Sequence, residues 1–448
     1  MDTIVALATA PGRSAIGVIR LSGPTSLKIA RSLIGENEFS PEPARAYLKT
    51  VRHCDSNQAL DRTLVTFFQK PNSYTGEDLV EISCHGSPVV LRQVIDRILV
   101  LGGRVAGPGE FTLRAMNNGK LNLSQAEGIR DLINAQTDAA AQQAVRQVNG
   151  ELSARLGPVK EILIRIIVQL ESALEFVEDD LPELQRQEIR RALANVVSRL
   201  HRLASTFSVG HLLRDGLKVT IIGRPNVGKS SLFNKLLSFD RAIVTEFPGT
   251  TRDSLTEAIS IQGIPILLTD TAGLRESSDM IESIGVERTR RAMADADLLL
   301  VVVDGSVDLA AEDLEVLSHA ESGRHIVARN KADALSFRAC VCEKDSAINV
   351  SAFTGSGLDD LRAAILAPFG SVETADGGIL VTDSRHYDLL RRAIQGLESS
   401  TVLWEENASE ELTLVGLNNA LQFLGEITGE TTTDEILSQI FATFCIGK

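Results

Sequence analysis

The sequence predicts a multidomain α/β and α+β protein in which a doubly wound α/β domain is inserted between two stretches of one helical bundle. Three observations predict it. Residues 1–118 alternate short apolar runs with Gly-Pro breaks, a 3.6-residue apolar periodicity follows, and that periodicity returns at the C-terminal end after a long strand-loop-helix alternation. The domains drawn from these shifts are 1–118, an α+β domain; 119–215, the first helical segment; 216–370, the inserted domain; and 371–448, the second helical segment.

In the first domain, the apolar runs 3–8 and 16–21 read as two strands joined by the loop Pro11-Gly12-Arg13, with further breaks at Gly23-Pro24, Ser87-Pro88 and Gly107-Pro108. From about residue 124 to 208 the pattern is helical. Leu163, Ile166, Ile167, Leu170 and Leu174 form one stripe, Leu181-Pro182 interrupts it, and Ile189, Leu193, Val196, Leu200 and Leu203 line the next helix. Residues 218–223 then open the α/β domain, whose buried-looking strands include 266–268 and 298–303. After the Gly377-Gly378 link, helical periodicity resumes near Ser384, and the simplest arrangement packs this segment on the first helical one. No internal repeat or low-complexity tract interrupts this order.

At 448 residues and 44% hydrophobic content the chain can bury several cores. No run reaches the roughly 18 consecutive apolar residues of a membrane span, and residues 1–11 lack the basic start and cleavage site of a signal peptide. A cytoplasmic protein without membrane association is expected. A net charge of −14 argues against coating nucleic acid by bulk electrostatics, so any RNA contact must be local. With aromatics at 4%, a base-stacking platform is also poorly supported. The five cysteines (Cys54, Cys84, Cys340, Cys342 and Cys445) are scattered and odd in number, which argues against disulfides and structural zinc.

The motif Gly223-Arg224-Pro225-Asn226-Val227-Gly228-Lys229-Ser230 lies between an apolar strand and a helix beginning Ser231-Leu232-Phe233, where a phosphate loop must sit. Its glycines let backbone N–H groups turn toward phosphates, Lys229 brings positive charge to the β- and γ-phosphates, and the Ser230 hydroxyl can ligate magnesium. Asp270-Thr271-Ala272-Gly273 ends another apolar strand; Asp270 can hold the magnesium shell and the Gly273 N–H can sense the γ-phosphate. Asn330-Lys331-Ala332-Asp333 follows a third strand. Its Asp333 carboxylate can accept both N1–H and the exocyclic amino group of guanine, a pair of donors adenine does not present, so the expected nucleotide is GTP. Ser351-Ala352 fits the last base-contacting loop.

Between the first two motifs lies Thr245-Glu246-Phe247-Pro248-Gly249-Thr250-Thr251-Arg252-Asp253, a polar, broken segment of the switching type, with Thr251 as a magnesium-sensing threonine. The residue after Gly273 is Leu274, so the glutamine that orients attacking water in Ras-type enzymes is absent. Glu276, Asp279, Glu282 and Glu287 are nearby carboxylates, and chemistry alone does not select among them.

These motifs occur with Pro11-Gly12-Arg13 and Ile19-Arg20, with Pro71-Asn72-Ser73-Tyr74-Thr75-Gly76-Glu77-Asp78, with Pro108-Gly109-Glu110-Phe111, and with the terminal Cys445-Ile446-Gly447-Lys448. Together they resemble the MnmE (TrmE) family of tRNA-modification GTPases over essentially the whole chain. The resemblance implies an inserted Ras-like P-loop G domain and a homodimer whose G domains meet across the nucleotide. It implies potassium in place of an arginine finger, held by Asn226, Thr245, the Phe247 carbonyl and Thr250, and places the water-orienting glutamate at Glu282. It implies that the N-terminal domain is folate-binding, taking 5-formyltetrahydrofolate or a related tetrahydrofolate at Arg20, Glu81 and Lys120, with Lys448 from the C-terminus. It also implies an MnmG-like FAD protein as partner in a heterotetramer-type complex. That complex would add an aminomethyl or carboxymethylaminomethyl group to C5 of the wobble uridine (U34) of certain tRNAs. A ribosome-assembly GTPase and a folate-dependent aminomethyltransferase with a regulatory G domain are the rival classes. Ser87 stands where many relatives carry glycine, which questions the loop's backbone geometry, while His85 and Cys445 are expected to pack.

Overall fold

The structure is a computed structural model that describes residues 2–53, 58–175, 183–240, 255–270, 293–338, 347–369, 378–406 and 410–447. It divides into two compact units, the first made of 1–130, 148–153 and 422–448, the second of 131–147 and 154–421.

Alternating apolar positions make the strands of the first unit: β1 (Ile4–Leu7), β2 (Ile16–Ser22), β3 (Ala46–Arg52), β4 (Ala59–Phe68), β5 (Leu79–His85) and β6 (Arg104–Val105). They form one sheet in the order β3-β4-β5-β2-β1-β6. Only the β1–β6 pairing is parallel. The helices α1 (Ser26–Ile34) and α2 (Pro88–Val100) bring Ile29, Leu33, Leu91, Val94 and Ile98 onto Ile19, Leu21 and Ile82, closing a core on one face. The period of two sends the intervening side chains to the other face, so Arg20 and Glu81 stand directly opposite each other across β2 and β5. Next come α3 (Glu110–Asn117) and α4 (Leu123–Asn134), where Leu123 and Ala126 pack with Phe441 and Phe444 from the C-terminal end.

In the second unit, α5 (Asp138–Val148), α6 (Glu151–Glu175), α7 (Glu183–Ser205) and α8 (Phe207–Asp215) lead into the second sheet. The expected stripe on α6 is buried at Leu163, Ile166, Ile167 and Leu170, and that on α7 at all five positions. Leu174 is the exception: it sits in the last turn of α6 and is exposed, because periodicity marks a face but not how far the neighbouring element extends along it.

The second sheet is built of β7 (Leu217–Ile222), β8 (Leu255–Ile261), β9 (Ile264–Asp270), β10 (Leu298–Asp304), β11 (His325–Asn330) and β12 (Ile348–Asn349), with α9 (Lys229–Asp240) and α10 (Ala311–Ala320) between its strands and α11 (Leu358–Leu366) after the last of them. Its order is β12-β11-β10-β7-β9-β8. Every pairing is parallel except β8 with β9. Apolar clusters cover both faces, as a parallel sheet requires: Val219, Ile221, Leu300 and Val302 on one side, Ile222, Leu299, Val301 and Val303 on the other. The chain returns through α12 (Ser384–Glu405), α13 (Glu410–Thr428) and α14 (Asp434–Phe441). As expected, α12 packs on α7: Glu405 pairs with Arg190 at 2.7 Å, Glu398 meets His201 at 2.8 Å, and the Trp404 indole lies under the Arg186 guanidinium at 4.5 Å. Among the described residues, no helix is long and apolar enough to cross a membrane.

Candidate active site

The candidate loops of the second unit leave the C-terminal ends of β7, β9, β11 and β12. Parallel pairing aligns those ends along one sheet edge, where ligands of open α/β sheets bind.

Between β7 and α9, the loop turns through Gly223 and then through Asn226 at φ 66° and Gly228 at φ 94°. Gly228 is required twice. Its φ lies in the left-handed region, and a Cβ there would stand 2.2 Å from Asn330 Nδ2. The Lys229 ammonium curls back over the loop and donates to the carbonyls of Gly223 (2.9 Å) and Arg224 (2.8 Å). Ser230 Oγ donates to Asp270 Oδ2 at 2.8 Å, so the two residues expected around magnesium meet from two different strand ends. Both are hard oxygen donors, the ligand type magnesium takes. Ser231 lies in the exposed first turn of α9, where unpaired backbone N–H groups and the helix dipole favour an anion.

Asn330 joins three loops. Its Nδ2 donates to the buried Val227 carbonyl (2.9 Å), and its Oδ1 accepts from the Ala352 N–H (3.0 Å). Ser351 Oγ donates to Asp333 Oδ1 at 2.5 Å, orienting the exposed carboxylate expected to read the base. Lys331 spans the edge from the Asn226 carbonyl (3.2 Å) to Asp304 Oδ2 (2.6 Å). Burial works to raise the Asp304 pKa, but the Lys331 ammonium and the Ser306 hydroxyl and N–H outweigh it and hold the carboxyl below its ordinary range. Sequence reasoning missed Asp304, although an acid ending the run of 298–303 was the available signal. It also missed Arg224 against the buried Asp313 (2.9 Å), which ties the phosphate loop to α10. Thr245, Glu246, Phe247, Pro248, Gly249, Thr250, Thr251, Thr271, Ala272, Gly273 and Glu282 lie outside the described residues, as does Lys448.

In the first unit, Arg20 donates through Nε (2.9 Å) and Nη2 (2.7 Å) to Glu81 Oε1, and through Nη1 to the Gly447 carbonyl (3.4 Å). Glu81 Oε2 has no partner among the described residues. Tyr74 and Phe111 flank the guanidinium at 5.6 and 6.0 Å. Burial raises the Tyr74 pKa. Lys120 Nζ donates to the Pro71 carbonyl (2.9 Å), on the loop that carries Tyr74. The structure thus joins Arg20 to Glu81 and to the C-terminal motif, and no bond among the described residues joins Lys120 to that pair. The Pro108–Ile446 bridge sets two of the motifs quoted above side by side.

Three expectations about this unit change. Cys445 is exposed, next to the pairing of Ile446 with Pro108. His85 is also exposed and pairs with Asp61 at 2.6 Å instead of packing. Ser87 has φ −83° and ψ 120°, an extended backbone at the start of α2 that needs no glycine. Cys84, by contrast, is buried, and burial pushes its thiol up to about 12.

The sheet edge on which these loops converge is that of a P-loop guanine-nucleotide protein. The family descriptions "GTP-binding protein TrmE N-terminus" and "MnmE helical domain" match residues 3–120 and 123–445. The chain is 44% identical over 450 residues to the tRNA modification GTPase MnmE of Koribacter versatilis, covering all of this chain and 99% of the relative. It is 41% identical over 452 residues to that of Aquifex aeolicus, with both chains covered completely. The chain belongs to the MnmE family.

Proposed function

We propose that this protein hydrolyses GTP and couples that hydrolysis to modification of the wobble uridine of certain tRNAs. The observation that carries the nucleotide reading is the Asn330 side chain, whose two amide ends tie the phosphate loop to the Ser351-Ala352 loop and leave Asp333 exposed beside them. The tRNA reading rests on family membership.

In this reading the loop at Asn226, Val227, Gly228, Lys229, Ser230 and Ser231 cradles the phosphates, and Lys331, Asp333, Ser351 and Ala352 receive the base. Magnesium, held by Ser230 and Thr251 with Asp270 nearby, offsets phosphate charge when bound. Potassium would be held by Asn226, Thr245, the Phe247 carbonyl and Thr250, and when bound would supply positive charge to offset that of the phosphates. Lys229 gives up its two loop carbonyls to the phosphates, and Glu282 orients the attacking water. The chain works in the cytoplasm as a homodimer with an MnmG-like flavoprotein. A tetrahydrofolate at Arg20, Glu81, Lys120 and Lys448 supplies the carbon, with Glu81 Oε2 as the acceptor for a pterin N–H.

The test is the GTP hydrolysis rate at fixed ionic strength in potassium and in sodium, for the wild type and Asn226→Ala. The expected result is a potassium-dependent rate that falls about 100-fold in the variant, the scale of losing one stabilising contact to developing charge. A rate indifferent to the cation defeats the potassium assignment, and an absence of GTP turnover in every buffer defeats the whole reading.

A further inference from the structure

An acidic chain that works on RNA must meet phosphate through a local patch, and one groove of the second unit has the chemistry for it. It is a cavity of about 500 Å³ between α6, α7 and the strap 378–380, with an apolar floor that includes Leu156, Leu203 and Leu380. Arg155, Arg199 and Arg202 line it. All three are exposed, and none has an ion-pair or hydrogen-bond partner for its guanidinium among the described residues. Other cavities of the unit differ. Their linings carry acids beside the basic groups, Asp304 and Asp308 with Arg329 and Arg338, Glu398 with His201 and Arg391, and Asp131 with Arg214, whereas the lining of this groove carries none.

The groove wall is held in place before any ligand arrives. Gln143 donates to the Gly378 carbonyl (3.4 Å) and accepts from the Leu380 N–H (3.2 Å), while Thr206 Oγ1 accepts from the Val381 N–H (3.0 Å). Glycine at 378 leaves room for the Arg155 guanidinium, whose Nη2 lies 2.1 Å from where a Cβ would be. Guanidinium forks match phosphate oxygens, and an apolar floor between them suits a ribose or base face. We propose that this arginine-lined groove of the helical segment is a contact site for the phosphate backbone of tRNA. The proposal rests on the tRNA reading above.

Its test is fluorescence anisotropy of an unmodified tRNA transcript with uridine at the wobble position, titrated with the full-length protein over a range of salt concentrations. The expected result is binding weakened at least tenfold in the triple variant Arg155→Gln, Arg199→Gln, Arg202→Gln. The slope of log affinity against log salt should fall by about 2 to 3, as for three lost phosphate contacts. Unchanged potassium-stimulated GTP turnover verifies its fold, and the corresponding triple lysine variant should keep most of the slope. Equal affinity and slope in wild type and glutamine variant overturn the proposal and leave the tRNA reading standing. Wild-type protein that binds no transcript overturns both. Unchanged tRNA binding together with loss of pyrophosphate binding by calorimetry assigns the groove to a small phosphorylated ligand and also overturns it.

Discussion

Among the described residues Asp333 is held by one hydrogen bond, from Ser351 Oγ to Oδ1, which leaves its second oxygen at the exposed edge. A carboxylate there accepts the two guanine donors, whereas an amide presents one acceptor and one donor. Asp333→Asn keeps an oxygen for Ser351 but mismatches the guanine amino group and suits xanthine, which carries a carbonyl at that carbon. The expected outcome is a fall of about 10³-fold in kcat/KM for GTP with a gain for xanthosine triphosphate, a loss of the scale seen when a site built around a hydrogen bond is mispaired. Steady-state kinetics with both nucleotides checks it, and equal losses for the two would place Asp333 away from the base. Position decides reactivity at the cysteines too. Cys84 is buried on β5 and its thiol is pushed up to about 12, while Cys445 is exposed beside the Pro108–Ile446 bridge, a difference that residue type alone does not carry.

At the scale of elements, the strap that follows the inserted domain is fastened across α8. Gly210 of that helix faces the Val381 carbonyl, and a Cβ at 210 would stand 2.1 Å from the carbonyl oxygen. Helix propensity and packing therefore predict opposite signs for Gly210→Ala. Propensity favours alanine in a helix interior by about 1 kcal/mol, while the backbone clash is expected to destabilise by about 2 kcal/mol net, within the range for overpacking. Thermal unfolding should show a midpoint lowered by several degrees, and a raised midpoint would mean that the strap does not pass over α8 at this distance. The periodic stripes on α6 and α7 were legible because every third or fourth residue carries the signal, whereas the strap was not. Its hydrogen bonds reach Gln143 and Thr206, more than 170 positions away in sequence.

At the scale of the whole second unit, a partly buried ion network joins segments far apart in the chain. Arg214 of α8 pairs with Asp131 of α4 (3.2 Å) and with Asp383 (2.7 Å), the N-cap of α12. Burial raises the Asp383 pKa, but the charges of His386 and Arg214 and the Arg385 N–H reverse this and bring it down to about 2. A depressed carboxyl pKa contributes stability that is fully present above the unfolded value near 3.8 and is lost as the pH falls through about 2. The shift corresponds to about 2 kcal/mol. Asp383→Asn preserves an N-cap acceptor and removes the charge, so urea unfolding between pH 5 and 2 should show a shallower loss of stability in the variant. Identical pH slopes would show that Asp383 carries none of the acid sensitivity.

The alternation of helical and α/β stretches, the four nucleotide motifs and the expectation of GTP were readable in the chain itself. They depend on local facts: strand and helix periods, glycines where the backbone must turn, and the donor pattern an Asn-Lys-x-Asp loop can meet. What only the tertiary structure decided is which side chains hold those motifs together. Asn330 across Val227 and Ala352, Lys331 on Asp304, and Arg20 between Glu81 and Gly447 are contacts between residues distant in sequence. The exposure of Cys445, His85 and Leu174 belongs to the same category. Burial and pairing are properties of what lies across a gap in space, and a periodic pattern names the face that turns inward without naming what covers it.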